Sequence, residues 1–317
     1  MQRILVTGAT GQIGSELIPA LRQRYGADRV IAAGHKRKPE SDLLDSGPYV
    51  VFDVRRRTAL EEVVVRYKID TIYHLAALLS ATAEAQPERA WDININGLFN
   101  VLEVARVHGC ALFHPSSIGA FGPSTPRDNT PQETIQRPTT IYGIAKVTGE
   151  LLCDYYSSKF GVDTRGLRYP GLISYKTPPG GGTTDYAVEI FYSAIRDGRY
   201  TCFLDAATRL DMMFMPDAIR AAIELMEADA SRLRHRNAYN LSAMSLTPVE
   251  LGQAIKERIP GFVMSYEVDP LRQAIADSWP DRLDDSAART EWGWQPEYDL
   301  EKMTTVMLAQ LSVELNL

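Results

Sequence analysis

The chain has 317 residues, 45% of them hydrophobic and 23% charged, with a formal net charge of −6. A chain of this kind buries a sizeable core, and its acidity gives no general attraction to nucleic acid or to an anionic membrane; the runs HKRK (35–38) and RRR (55–57) read as a solvated loop or helix start. Three scattered cysteines (Cys110, Cys153 and Cys202) without a CxxC or Cys/His cluster argue against a disulfide framework or a metal site and suit reduced thiols in the cytoplasm, and MQRILVTGATG is no signal peptide.

The first half alternates two kinds of segment. RILVT (3–7), RVIAA (29–33), YVVFD (49–53), TIYHLA (71–76) and ALFHP (111–115) are short, apolar and rich in β-branched or aromatic residues, as strands buried on both faces are. Between several of them, GQIGSELIPALRQRYG (11–26), TALEEVVVRYK (58–68) and PERAWDININGLFNVLEVARVHG (87–109) are helical patterns. The alternation predicts right-handed βαβ units and a parallel, doubly wound α/β sheet. Another helix runs from 141 to a stop at Gly161, and VDTRGLRYPG (162–171) reads as a further strand. PPGGGTTDYA (178–187) is a loop by its Pro and Gly content, and 191–198, 216–229, 247–259 and 300–315 look helical. The expected organisation is a nucleotide-binding domain over 1–170, with 201–228 returning to it, and a smaller lid, mainly substrate-binding, over 171–317.

Three stretches carry chemistry. TGATGQIG (7–14) spaces Gly8, Gly11 and Gly14 after a strand and before a helix, the context in which a glycine turn brings backbone N–H groups to a pyrophosphate. An acid about 20 residues further on would normally accept the adenosine ribose hydroxyls. RVIAA is followed instead by Gly34, His35 and Lys36, which leaves two readings open: NADP, with the basic cluster near a 2′-phosphate, or NAD with looser ribose contacts. Asp53, at the next strand's end, is placed to meet the adenine edge. PSSIGAFG (115–122) puts Ser117 at a strand's carboxyl end, where such sheets bind ligands. IYGIAK (141–146) puts Tyr142 and Lys146 one helical turn apart, where a cation lowers a phenol's pKa toward the range useful for proton transfer.

Together with HLAAL (74–78), NINGLFNVLEVA (94–105) and RYPGL (168–172), these segments resemble the extended short-chain dehydrogenase/reductases, the superfamily of nucleotide-sugar epimerases, over essentially the whole chain. LLSATAE (78–84), PGGGTTDYAVEIFYSAI (179–195) and SWPDRLDDSAARTEWGW (278–294) are similar, more narrowly, to NAD-dependent L-threonine 3-dehydrogenases of short-chain type. The resemblance implies a Rossmann sheet, NAD as cofactor, a small-molecule substrate and a homodimer formed through the helices at 87–109 and 142–160.

It also implies roles, position by position. Tyr142 is the general base for the β-hydroxyl of L-threonine. Lys146 depresses its pKa and holds the nicotinamide ribose, and Ser117 orients the hydroxyl. Around the cofactor stand Gly8, Gly11, Gln12, Ile13 and Gly14 at the turn, Asp53, Val54, Leu75, Ala76 and Ala77 beside the adenosine, and Tyr169, Pro170 and Leu172 near the nicotinamide. Asn94 steadies the backbone of the site or is a plain buried helix polar residue. Thr183, Thr184, Gly182 and Ser80 meet the substrate; Asp185 meets its ammonium or caps the following helix. The product implied is 2-amino-3-oxobutyrate. A nucleotide-sugar 4-epimerase or reductase with the same triad is the alternative, and it needs cations such as Arg209, Arg220 or Arg282 for a diphosphate. A non-catalytic nicotinamide sensor would keep the glycine turn without Tyr142 and Lys146.

Overall fold

A computed structural model describes residues 1–178 and 180–315. Pro179, which opens the glycine-rich run, lies outside the described residues, as do 316 and 317 at the end of the expected lid. Ile4–Thr7 (β1), Val30–Gly34 (β2), Tyr49–Val51 (β3), Thr71–His74 (β4) and Ala111–Phe113 (β5) follow the five apolar runs. Next come Ser116–Ser117 (β6), Thr164–Arg165 (β7), Leu167–Tyr169 (β8) and Gly171–Ile173 (β9). Six strands form one parallel sheet in the order β3-β2-β1-β4-β5-β7, the doubly wound Rossmann arrangement expected from the alternation.

The pleat sorts each apolar run between two cores. Ile4, Val6, Val30, Ala32, Tyr73 and Phe113 face the helices Gln12–Tyr25 and Met215–Glu227. Leu5, Ile31, Ala33, Ile72 and Leu112 face Arg57–Tyr67, Gly97–His108 and Ile141–Phe160. A third cluster gathers Tyr186, Phe191, Leu210, Trp279 and Met303 from the second half of the chain. Among the described residues no helix is long and apolar enough to cross a membrane.

Two expected elements are broken, each for a visible reason. The strand predicted over 162–171 becomes three. Gly166 turns its N–H to Arg236 O, and a Cβ there would meet the carbonyl oxygen of His114 at 2.5 Å. Pro170 has no N–H to continue a ladder. The chain therefore leaves the main sheet after β7; β8 pairs with β6, and β9 pairs with Leu210–Phe214. The helix predicted over 87–109 is interrupted by a π-helical turn at Asp92–Asn96, a distortion that frequently marks functional sites.

Candidate active site

β1 ends where the strand order reverses between β2 and β4, the crevice at which open α/β sheets take ligands. Gly8 there has φ 72°, a left-handed conformation that a side chain disfavours, and a Cβ on it would lie 2.7 Å from the carbonyl carbon of Leu75. A Cβ on Gly14 would overlap the carbonyl oxygen of Gly8. The helix Gln12–Tyr25 begins with no side-chain cap and no acid in its first turn, so its leading N–H groups are left for an anion. These features fit a dinucleotide pyrophosphate. Gly14→Ala is accordingly expected to weaken NADH binding, with an overpacking cost of about 1–3 kcal/mol to fold stability. Fluorescence titration and denaturant unfolding read the two effects, and unchanged values in both would refute the close fit.

A groove of about 330 Å³ leads from this turn past Gly34, His35, Lys36, Asp53, Val54, Leu75, Ala76 and Ala77. At Gly34, where the acid is missing, the Tyr49 hydroxyl stands in the space a Cβ would need. The Asp53 carboxylate lies 2.6 Å from Arg55 and 3.7 Å from His35, and hydrogen bonding to Arg55, before all else, holds it down to about 2.

A second cleft, of about 240 Å³, shares Gly8, Gly11, Leu75 and Ala77 with the groove. It brings together Gln12, Ile13, Gly14, Ser80, Ser117, Tyr142, Lys146, Tyr169, Pro170, Leu172, Gly182, Thr183, Thr184 and Asp185 from six separate stretches of chain. Thr140 caps the helix Ile141–Phe160 through a bond from Gly143 N, which fixes Tyr142 and Lys146 on its first turns. The Lys146 ammonium is buried, donates to Pro115 O at 2.7 Å and stands 5.4 Å from the centre of the Tyr142 ring. Burial pulls Lys146 down to about 8, against a raising effect of Glu150 one turn on. Burial also pushes the Tyr142 phenol up, and the neighbouring Ser117 hydroxyl works against it. The sequence argument has the cation lowering the phenol; desolvation of the pocket prevails instead.

Asn94 does not line the cleft. From the π-helical turn it donates to Leu78 O at 3.0 Å and accepts from Leu78 N at 2.8 Å, clamping the stretch that follows β4. Asp185 accepts from Gly181 N and Gly182 N, both at 2.7 Å, so one carboxylate oxygen is committed to the glycine loop. Thr183 is buried with its hydroxyl unpartnered among the described residues. Trp279 also walls the cleft, 5% exposed. No motif or spacing assigns Trp279 a role, although it lies in SWPDRLDDSAARTEWGW (278–294), one of the segments similar to the threonine dehydrogenases. Arg209, Arg220 and Arg282 stay outside the cleft. Arg209 is paired with Glu250, and Arg220 with Asp217 and Glu224. Another cavity, of about 720 Å³, opens around Met1, Asp70, Cys110 and Val162 at the opposite ends of the strands, away from all these groups.

A sequence profile described as the NAD dependent epimerase/dehydratase family matches residues 4–242. The chain belongs to this family. An uncharacterized epimerase/dehydratase of Staphylococcus saprophyticus subsp. saprophyticus is 57% identical over 308 residues, 97% of this chain and 96% of that protein. Among solved structures, an L-threonine dehydrogenase from Clostridium difficile is 54% identical, with a TM-score of 0.97 over 99% of this chain and 98% of that one. The holo form of an L-threonine dehydrogenase from Cupriavidus necator is 51% identical, with a TM-score of 0.94 over 98% and 99%. This member of the epimerase/dehydratase family is an NAD-dependent oxidoreductase, and its cofactor is NAD. In it the glycine turn, the groove and the Tyr142 cleft form one continuous trough.

Proposed function

We propose that this protein oxidises L-threonine at its β-hydroxyl to 2-amino-3-oxobutyrate, with Tyr142, Lys146 and Ser117 as the catalytic set. The lining of the cleft carries the choice of substrate. Beside the nicotinamide residues it offers the buried, unpartnered Thr183 hydroxyl with Thr184, Ser80 and the glycine backbone, and Lys146 is its one Lys or Arg among the described residues. That suits a small zwitterion and not a nucleotide sugar, since the three arginines a diphosphate would need stand elsewhere. The threonine dehydrogenases of similar structure support the same reading.

Tyr142 takes the hydroxyl proton, and Ser117 orients the alcohol oxygen through its own hydroxyl. Lys146 holds positive charge beside the phenolate and reaches the ribose, while Thr183 and Thr184, with the Gly182 backbone, take the amino acid's charged groups. NAD supplies the hydride acceptor at its nicotinamide, which Tyr169, Pro170 and Leu172 would hold against the substrate. Gln12, Ile13 and the three glycines of the turn would hold the pyrophosphate, and Asp53, Val54, Leu75, Ala76 and Ala77 the adenosine. The division into 1–170 with 201–228 and a lid over 171–317 belongs to the same proposal, supported by Met213, Met215 and Ala218 packing on the main sheet.

The test follows nicotinamide reduction with L-threonine, L-serine, D-threonine and UDP-sugars. Turnover of L-threonine with NAD is expected; turnover of a UDP-sugar with silence on L-threonine would sink the assignment in favour of an epimerase or reductase. A pH dependence follows as well. With burial pulling Lys146 down to about 8 and pushing Tyr142 up, the pair loses its first proton as a unit near pH 8. The singly protonated pair is mostly neutral amine beside phenol; its minor tautomer, phenolate beside ammonium, is the form that accepts a proton. So kcat/KM rises as pH climbs through about 8, and a flat profile between about pH 6 and 9 would contradict it.

The proposed homodimer rests on apolar side chains left in solvent on two adjacent helices. Phe99 and Val107 lie on one, and Leu151, Tyr155 and Phe160 on the other. Sedimentation should give twice the chain mass, and a monomer at micromolar concentration would refute the dimer. A cytoplasmic location, in keeping with three unpaired cysteines, completes the proposal.

A further inference from the structure

We propose that this protein binds NADP(H) at least as tightly as NAD(H), seating the adenosine 2′-phosphate in a basic recess beside the end of β2. NAD sites of this architecture place an acid at the end of the second strand, where it accepts the ribose hydroxyls and repels a 2′-phosphate; NADP sites put a cation nearby. Here Gly34 occupies that end, and Tyr49 fills the space a side chain would need. Among the described residues the one carboxylate lining the adenosine groove is Asp53, already engaged by Arg55 at 2.6 Å. Nothing in the groove reproduces the repulsion.

The attraction comes from the adjoining space. A cavity of about 250 Å³ opens beside the groove and shares Thr10 and Arg37 with it. Arg37, Lys38 and Lys176 supply its cations, and Thr10, Ser15 and Thr177 its hydroxyls. Ser15 and Thr177 hold each other at 2.9 Å, which fixes the two hydroxyls on one wall. Lys36 adds a further cation from the groove side. Glu40 and Asp42 also line the recess. Among the described residues, though, no carboxylate stands within 4.0 Å of Lys36, Arg37, Lys38 or Lys176, so these charges are not neutralised at contact. A phosphomonoester, close to doubly charged at neutral pH, meets three cations of the recess and the hydroxyls of Thr10, Ser15 and Thr177 there, with Lys36 on the groove side. The composition suits any phosphomonoester-like anion, free phosphate included.

Direct binding separates the cases and does not depend on which alcohol the enzyme oxidises. The full-length protein, freed of nucleotide, is titrated with NADH and with NADPH by nicotinamide fluorescence in phosphate-free buffer. NADPH is expected to bind with a Kd equal to or below that of NADH and to lose affinity more steeply with added salt. The double variant Lys38→Ala/Lys176→Ala, which leaves the groove intact, is expected to weaken NADPH about tenfold or more without moving NADH. Inorganic phosphate is expected to compete with NADPH alone. NADPH binding more than about tenfold weaker than NADH would overturn the proposal. So would equal loss of both nucleotides in the variant. Phosphate occupancy of the recess alongside NADH, with NADPH weak, would show a free-phosphate site in its place and likewise overturn it. L-threonine turnover with NAD is measured in parallel, so a failure here leaves the substrate assignment standing.

Discussion

Tyr142→Phe is expected to cut kcat by about 10²–10⁴-fold while the protein keeps its fold and its grip on NADH. The substitution removes one oxygen. The ring still packs against Gly119, where it approaches within 3.1 Å of a Cβ position. Ser117 still accepts from Gly119 N at 3.1 Å, and Lys146 still donates to Pro115 O at 2.7 Å. Only the group proposed to take the proton is lost, so the loss should fall on kcat and kcat/KM alike, with NADH affinity within about threefold of the parent. Stopped-flow and steady-state rates measure it, with circular dichroism confirming the fold. A loss smaller than about tenfold would remove the phenol from the chemistry and restore the reading of a nicotinamide sensor that needs neither Tyr142 nor Lys146.

Arg168→Met should unfold the protein more readily by about 3–5 kcal/mol. Arg168 and Glu150 form an ion pair in which the side chains are only 9% and 6% exposed. The guanidinium donates to both carboxylate oxygens, at 3.0 and 2.8 Å, and also to Gln132 O and Asn240 Oδ1. It lies over the Phe121 ring as well. Methionine conserves much of the volume but leaves the Glu150 carboxylate in the core with only Ser116 and Gln136 as donors. An uncompensated buried charge costs far more than an intact pair contributes. Because Glu150 raises Lys146 from one turn away, the same variant should move the acid limb of kcat/KM to higher pH. Denaturant midpoints and the pH profile check both effects. A stability loss under about 1 kcal/mol, with no displacement of the limb, would mean that the pair supports neither the core nor the site.

The sheet was legible because strands buried on both faces have to be apolar without interruption, and five such runs stood between helical patterns. Their ends were less legible. YVVFD stops at Val51 and TIYHLA at His74, since pairing ends where the partner strand does, and a run of apolar letters does not record its partner. The segment 162–171 looked like one strand; Gly166 and Pro170 were visible within it, but the carbonyl of His114 that forces the break was not. In the site, spacing alone placed Tyr142 with Lys146, and a strand's end placed Ser117. Trp279 could not be placed that way, because it reaches the cleft from a part of the chain with no local periodicity to follow. The upward push on Tyr142 was equally invisible: a sequence states which cation is near but not how much water has been excluded.

The three cysteines carry a practical consequence. All are buried and unpaired, and burial pushes each thiol up, Cys110 and Cys202 to about 11. Very little reactive thiolate therefore exists while the protein stays closed. Cys110 and Cys153 sit beneath the parallel sheet, whereas Cys202 sits in the cluster built from the chain's second half. Alkylation followed by peptide mass analysis thus gives each half its own clock for local opening, without any label being engineered in.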